Sequence, residues 1–216
     1  MKRILRALLW GLLPVALTGC PGGDGGGSGS SNADLSYLFQ HNARFNDGLT
    51  VRWANLPIRV FTNNIAQQGE VTEWTAASGG AVTFAFVGSA SGANITFRFD
   101  TGDDICGVTT VRFNSAGEIL SADVRVVQAV YRTPACTRTV VHEVGHAIGF
   151  LDHTTDGGLM NDDGGDGSIT EPVASMIALL YSLPPGSVTQ ALVPGRSAEK
   201  RAGGIRSVTI VDPKRR

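Results

Sequence analysis

The spacing of apolar positions changes several times along the chain, and each change predicts a different element. Residues 64–78 carry apolar side chains at roughly helical spacing, and two glycines follow them, which predicts a helix that ends there. β-Rich segments bounded by turn residues predict strands at 57–62, 81–87, 93–99, 107–113 and 119–127. Two further helices are predicted at 137–150 and 171–181, the second with Thr170 as its N-cap.

This order of strand, helix, four strands, helix, loop and helix predicts an α+β fold, in which helices pack against a five-stranded sheet. The folded domain is expected to cover residues 35–185, a length sufficient for one domain with its own core. Residues 186–216 are less patterned, and we interpret them as a C-terminal tail.

The first residues are typical of an export signal. A basic start precedes a short apolar run that ends in Leu17-Thr18-Gly19-Cys20, which resembles the lipobox of bacterial lipoproteins. The resemblance implies a signal peptide at 1–19, a lipid on Cys20 and attachment to the bacterial cell envelope. Residues 20–34 then form the anchor and a Gly/Ser-rich linker, and Pro21, which replaces the Asp of an inner-membrane retention signal, favours the outer membrane or cell surface.

Composition narrows the possibilities further. Apolar residues make up 42% of the chain and charged residues 17%, with a net charge of −1, so nothing suggests a nucleic-acid partner. We expect a monomer whose membrane contact is the N-terminal lipid. In an exported domain, Cys106 and Cys136 are candidates for one disulfide, and two buried free thiols are the alternative.

The chemistry concentrates in the segment 142–153, which holds three of the chain's four histidines. His142 and His146 lie one helical turn apart, so their rings project from the same face and can bind one ion. Glu143 points about 100° away from His142 around the helix axis, where it can reach a water molecule without being a ligand. This is the HExxH arrangement, in which two imidazoles bind zinc and the glutamate is the general base.

Gly149 extends this motif. A glycine three residues after His146 can adopt a left-handed conformation and end the helix, so that the chain turns back under the ion. The residues then within reach as a third ligand are Asp152 and His153, since both a carboxylate and a neutral imidazole bind zinc.

The pattern from His142 through Gly149 to Asp152 resembles the signature of the metzincin metallopeptidases. Most metzincins have His at the eleventh position; the snapalysin-like branch has the Asp-His order and uses the Asp, while some matrixin-like bacterial sequences place His at the twelfth. On this resemblance we favour Asp152 over His153. Met160 resembles the family's Met-turn, whose side chain lies under the zinc ligands. The resemblance further implies a twisted, mostly parallel sheet whose edge strand, near residues 107–113, binds the substrate.

These features predict a zinc-dependent endopeptidase with one catalytic Zn²⁺, a Glu143 general base and a protein or peptide substrate. The alternatives are a zinc-binding lipoprotein that has lost turnover and acts as an adhesin or binding module, and a different zinc hydrolase of the deformylase or amidase kind. The acidic, Gly-rich segment 161–168 invites a Ca²⁺ site, but it fails the EF-hand pattern, and a solvated loop is the better interpretation.

Overall fold

The computed structural model describes residues 32–101, 105–127, 133, 136–189 and 203–213. The predicted signal peptide, the lipidation site Cys20 and most of the Gly/Ser linker lie outside these residues. Among the helices that are described, none is both long enough and apolar enough to cross a membrane.

The described chain contains four α-helices and six strands. The helices are α1 (Asn32–His41), α2 (Ile65–Ala77), α3 (Thr139–Ala147) and α4 (Glu171–Ser182), and a short 3₁₀ helix spans Ala43–Asn46. The strands are β1 (Ile58–Phe61), β2 (Phe84–Phe86), β3 (Ile95–Asp100), β4 (Ile105–Asn114), β5 (Ile119–Val127) and β6 (Ile205–Pro213). All five strands and all three helices predicted from the sequence are therefore present, with modest differences in their bounds.

The strands form one six-stranded sheet in the order β2-β1-β3-β5-β4-β6. The pairs β1–β2, β1–β3 and β3–β5 are parallel, whereas β4 runs antiparallel to both β5 and β6. Because apolar residues alternate along β5, one set of its side chains is buried in the core. Helix α3 packs on β4 and β5 and is buried along its whole length, so its polar side chains sit in the protein interior.

Two segments differ from the sequence-based expectation. Residues 205–213, interpreted as part of a tail, form β6 and give the sheet a sixth strand, so β4 is not an edge strand. The alternation in β6 was not recognised because most of its side chains are at least partly exposed. Helix α1, for which no element was predicted, packs against α4 and begins ahead of the predicted domain start at residue 35.

Candidate metal centre

Helix α3 positions the first two histidines. His142 and His146 are 1% and 0% exposed, and their Nε2 atoms lie 2.9 Å apart. The helix is held in place by two tryptophan indoles: Trp74 Nε1 donates to the Val141 carbonyl at 2.7 Å and Trp53 Nε1 donates to the Ala147 carbonyl at 2.9 Å. These bonds fix the helix on both sides of the histidine pair, so the two rings are oriented by the core rather than by each other.

Backbone carbonyls set the tautomer of both rings. Nδ1 of His142 lies 2.6 Å from the Leu159 carbonyl, and Nδ1 of His146 lies 2.6 Å from the Phe150 carbonyl. A carbonyl only accepts hydrogen bonds, so each Nδ1 carries the proton and each Nε2 presents a lone pair. Two lone pairs that face each other at 2.9 Å repel, unless a cation lies between them. The pair is thus arranged to bind a cation through Nε2.

Burial lowers the pKa of two of the three histidines, His146 and His153. Burial lowers the pKa of His146 well below its usual range, the charges of His142 and His153 lower it further, and the Phe150 carbonyl partly opposes them. A proton therefore binds weakly at this site. A neutral imidazole is the form that ligates a transition metal, so the donor set suits a metal ion.

His153 completes the cluster. Its Nε2 lies 3.3 Å from Nε2 of His142, and one nitrogen from each of the three rings lies within 4.8 Å of the others. Two nitrogens bound to one zinc ion at about 2.0–2.1 Å, with a tetrahedral angle between them, lie about 3.3 Å apart. The observed separations of 2.9 and 3.3 Å are close to that value. The three histidines thus form a metal-binding group, without indicating by themselves which metal it takes.

Asp152, which the sequence favoured as the third ligand, lies outside this cluster. Its Oδ2 is 2.5 Å from Arg44 Nη2 and 3.5 Å from His41 Nδ1. The side chain therefore pairs with the segment after α1, while His153 turns towards α3. The structure therefore reverses the order of preference between the two residues. His153 is the third member of the histidine group, and Asp152 contacts Arg44 and His41 instead.

Gly149 allows the chain to turn back as the sequence predicted. It has φ +112°, a conformation that residues with a Cβ rarely adopt. A Cβ at this position would also lie 2.8 Å from the Val51 carbonyl oxygen and 3.2 Å from Asn42 Nδ2. Asn42 donates through Nδ2 to the carbonyls of Val51 and Gly149, both at 2.7 Å. The turn is thus clamped to the segment that follows α1, a contact the sequence did not suggest.

We expect Gly149→Ala to lower the free energy of unfolding by about 2–6 kcal/mol, because positive-φ strain and overpacking each cost roughly 1–3 kcal/mol. Gly157→Ala is the matched control: Gly157 has φ +84°, but a Cβ there would meet nothing within 4 Å. This control should lose only the strain part. Urea unfolding of the metal-free variants measures both, and equal losses would contradict the packing argument for Gly149.

Met160 lies beneath α3. It is fully buried, and a Cβ at Gly145 would lie 2.6 Å from its sulfur and 2.6 Å from Trp74 Cζ2. Gly145 falls between the two helix histidines, so the methionine packs directly under that turn of the helix. The Met160 carbonyl also accepts a hydrogen bond from the Thr154 amide at 2.8 Å, which connects the residue after His153 to the methionine under α3.

Glu143 is completely buried beside β4. Its Oε2 accepts a 2.5 Å hydrogen bond from Thr109 Oγ1, and within the described residues Oε1 has no hydrogen-bond partner. Gly107 touches the carboxyl so closely that a Cβ there would lie 2.8 Å from Glu143 Cδ. Burial raises the pKa of Glu143 well above its ordinary value; the Thr109 hydrogen bond opposes this shift and the charge of Asp212 adds to it. The structure thus adds Thr109 and Gly107 to the site, neither of which the sequence singled out.

Two other predictions concern the surroundings. Cys106 and Cys136 form a disulfide, which links β4 to the turn that leads into α3. In the 156–168 loop, carboxylates cap their own chain: Asp163 accepts from the Gly165 amide and Asp166 from the Ser168 amide. Within the described residues the only cluster of three metal-ligating side chains is the histidine group, and nothing adds support for Ca²⁺ in the acidic loop.

Comparison of the chain with models of known protein families and with curated proteins found no match in either case. The chemistry of the site therefore has to be inferred from its own geometry. That geometry consists of three convergent imidazoles that could hold a metal ion and, on the same helix, a buried carboxyl with one oxygen that has no hydrogen-bond partner within the described residues.

Proposed function

We propose that this protein is a zinc-dependent endopeptidase of the metzincin type. The observation that carries the proposal is the convergence of three imidazoles, two of them with Nδ1 bonded to backbone carbonyls, next to a helix position that holds a buried glutamate. Three protein ligands leave a fourth position open, as in catalytic rather than structural zinc sites. The order of strands and helices, the turn at Gly149 and the buried Met160 also support the metzincin assignment.

His142, His146 and His153 would hold the zinc ion, and zinc bound there supplies Lewis-acid chemistry that activates water and polarises a carbonyl. The Glu143 carboxylate takes a proton from the attacking water and delivers it to the leaving amine. Burial raises the pKa of Glu143, which makes its carboxylate a stronger base for the first transfer. Thr109 fixes Oε2 of Glu143, while Oε1 lies against Gly107 and has no hydrogen-bond partner within the described residues.

The same proposal includes export and a lipid anchor at Cys20, which rest on the sequence alone. The Cys106–Cys136 disulfide supports an oxidising compartment outside the cytosol. Loss of radiolabelled palmitate incorporation in Cys20→Ser, with incorporation in the unchanged chain, would test the anchor directly.

The test of the peptidase uses the full chain. We expect one zinc per chain by elemental analysis and cleavage of fluorescein-labelled casein, abolished by 1,10-phenanthroline and restored by added zinc. His146→Ala should lose both zinc and cleavage, since the helix then offers a single imidazole to the ion. A folded chain that binds no zinc would refute the metal centre.

The second candidate is the binding module without turnover. One observation favours it: β4, on which an extended substrate would pair, is already covered by β6. A chain that binds one zinc and cleaves none of casein, gelatin or a mixed peptide library would support this candidate. The intact Glu143 with its Thr109 partner favours the peptidase, because a zinc-binding module has no need of a buried carboxyl.

A further inference from the structure

The strand β6 occupies the edge of β4 that would otherwise be free to bind a peptide. It runs antiparallel to β4, with its paired residues extending from Ile105 opposite Pro213 to Asn114 opposite Ile205. Without it, β4 would present an open row of backbone donors and acceptors, the feature to which extended peptides add as a strand. The chain thus fills its own strand-binding edge.

Few side chains of β6 are fully buried. Only Ile210 and Asp212 are, whereas Ile205 and Val211 are 62% and 45% exposed. Arg206 adds an ion pair with Asp47 at 2.8 Å, and the partly buried Val208 packs against the core. An edge strand with so little apolar burial opens more easily than the strands at the centre of the sheet. Residues 190–202 connect it to the rest of the domain and lie outside the described residues.

The register brings the end of β6 to the candidate site. Asp212 pairs with Gly107, and Gly107 is the position at which β4 touches the Glu143 carboxyl. Asp212 is 5% exposed, and β6 also contacts α3, the helix that carries Glu143. The C-terminal strand therefore ends against the part of the sheet that faces the catalytic glutamate.

We propose that Ile205–Pro213 is an internal inhibitor, a strand that occupies the substrate-binding edge of β4 and must leave before an extended peptide can bind. This inference rests on the proposed peptidase function, which it deepens by naming how access to the site is controlled. The displaced and the displacing strand use the same β4 backbone groups, so substrate and β6 compete. Loss of the C-terminal segment, by proteolysis or by capture elsewhere, would activate the enzyme.

The expected increase in activity on removal of β6 follows from the fact that β6 is tethered to the rest of the chain. A tethered segment acts at an effective concentration on the order of 1 mM, so a free segment whose Kd is about one tenth of that value would close about nine-tenths of the chains. A chain ending at Ala202 should therefore cleave casein with a kcat/KM roughly tenfold higher than the full chain. A chain ending at Pro213 is the matched control, since it keeps β6, and it should cleave at the full chain's rate.

A variant of the full chain covers the case in which the shortened chain does not fold, and a peptide-binding test adds a check for the case in which it does. In the full chain, Val208→Pro with Thr209→Pro removes two strand N–H groups and should give the same rise without any truncation. A labelled peptide of residues 203–213 should bind the shortened chain by fluorescence anisotropy and reduce its cleavage, whereas the peptide carrying both prolines should do neither.

The outcomes separate the two proposals. Equal kcat/KM for the full chain, the Ala202 chain and the double-proline chain would overturn the inhibitor strand and leave the peptidase standing. Absence of cleavage in all zinc-loaded chains would overturn the peptidase and the inhibition that depends on it. A rise only where β6 is removed or broken, reversed by the added peptide, supports both.

Discussion

Replacing Glu143 by Gln should leave one zinc per chain and lower kcat by about 10²–10⁴-fold, the usual contribution of a positioned general base. Gln keeps the shape of the side chain and an oxygen for the Thr109 hydroxyl, but it cannot take a proton. The three imidazoles do not depend on this carboxyl, so zinc content should be unchanged. Elemental analysis and steady-state casein cleavage measure the two quantities on the same preparation.

The stability of this variant should move in the opposite direction to its activity. Glu143 is fully buried with one unsatisfied oxygen, an arrangement that costs stability and that a neutral amide relieves. We expect Tm to stay equal or rise. Glu73→Gln is the matched control, because Glu73 is a half-exposed partner of Arg138 and should affect kcat little. Glu143→Gln with full activity would remove the general base from the mechanism.

Replacing His153 by Ala should weaken zinc binding by roughly 10²–10³-fold, whereas Asp152→Ala should weaken it by less than about tenfold. The estimate follows because structural zinc sites bind with about 10–16 kcal/mol over four ligands, or about 2.5–4 kcal/mol for each ligand. Asp152 pairs instead with Arg44 and His41, so its loss loosens the loop without removing a donor. Partly exposed ion pairs of this kind contribute about 1 kcal/mol or less.

Competition with a zinc-binding dye measures the zinc affinity of both variants. The two variants are matched, because each replaces one of two neighbouring residues by Ala. Asp152→Ala should lose some thermal stability of the metal-free chain, since Arg44 loses the carboxylate that its Nη2 contacts at 2.5 Å. If Asp152→Ala lost zinc while His153→Ala retained it, the carboxylate would be the ligand and the loop would rearrange on binding metal.

Much of the fold was predictable from the local spacing of apolar residues. The alternation in β4 and β5 and the helical spacing in α2 depend on neighbours within each segment, so these elements were predictable. Helix α1 was not, because it is short and few of its side chains are buried. Strand β6 was also missed, because its pairing partner β4 lies about a hundred residues earlier in the chain, and its partly exposed side chains leave little periodicity to detect.

The pairing of His142 with His146 was predictable from the sequence, because an i, i+4 spacing brings two side chains together on any helix, and so was the turn at Gly149, because few other residues adopt its φ. The choice between Asp152 and His153 required the three-dimensional contacts: adjacent residues point in different directions, and Arg44, over a hundred positions earlier, binds the carboxylate. Thr109 and Gly107, which contact Glu143, likewise became evident only from the three-dimensional structure. These two residues contact Glu143 because α3 packs on β4. Contacts between distant segments produce no periodic pattern in a single sequence.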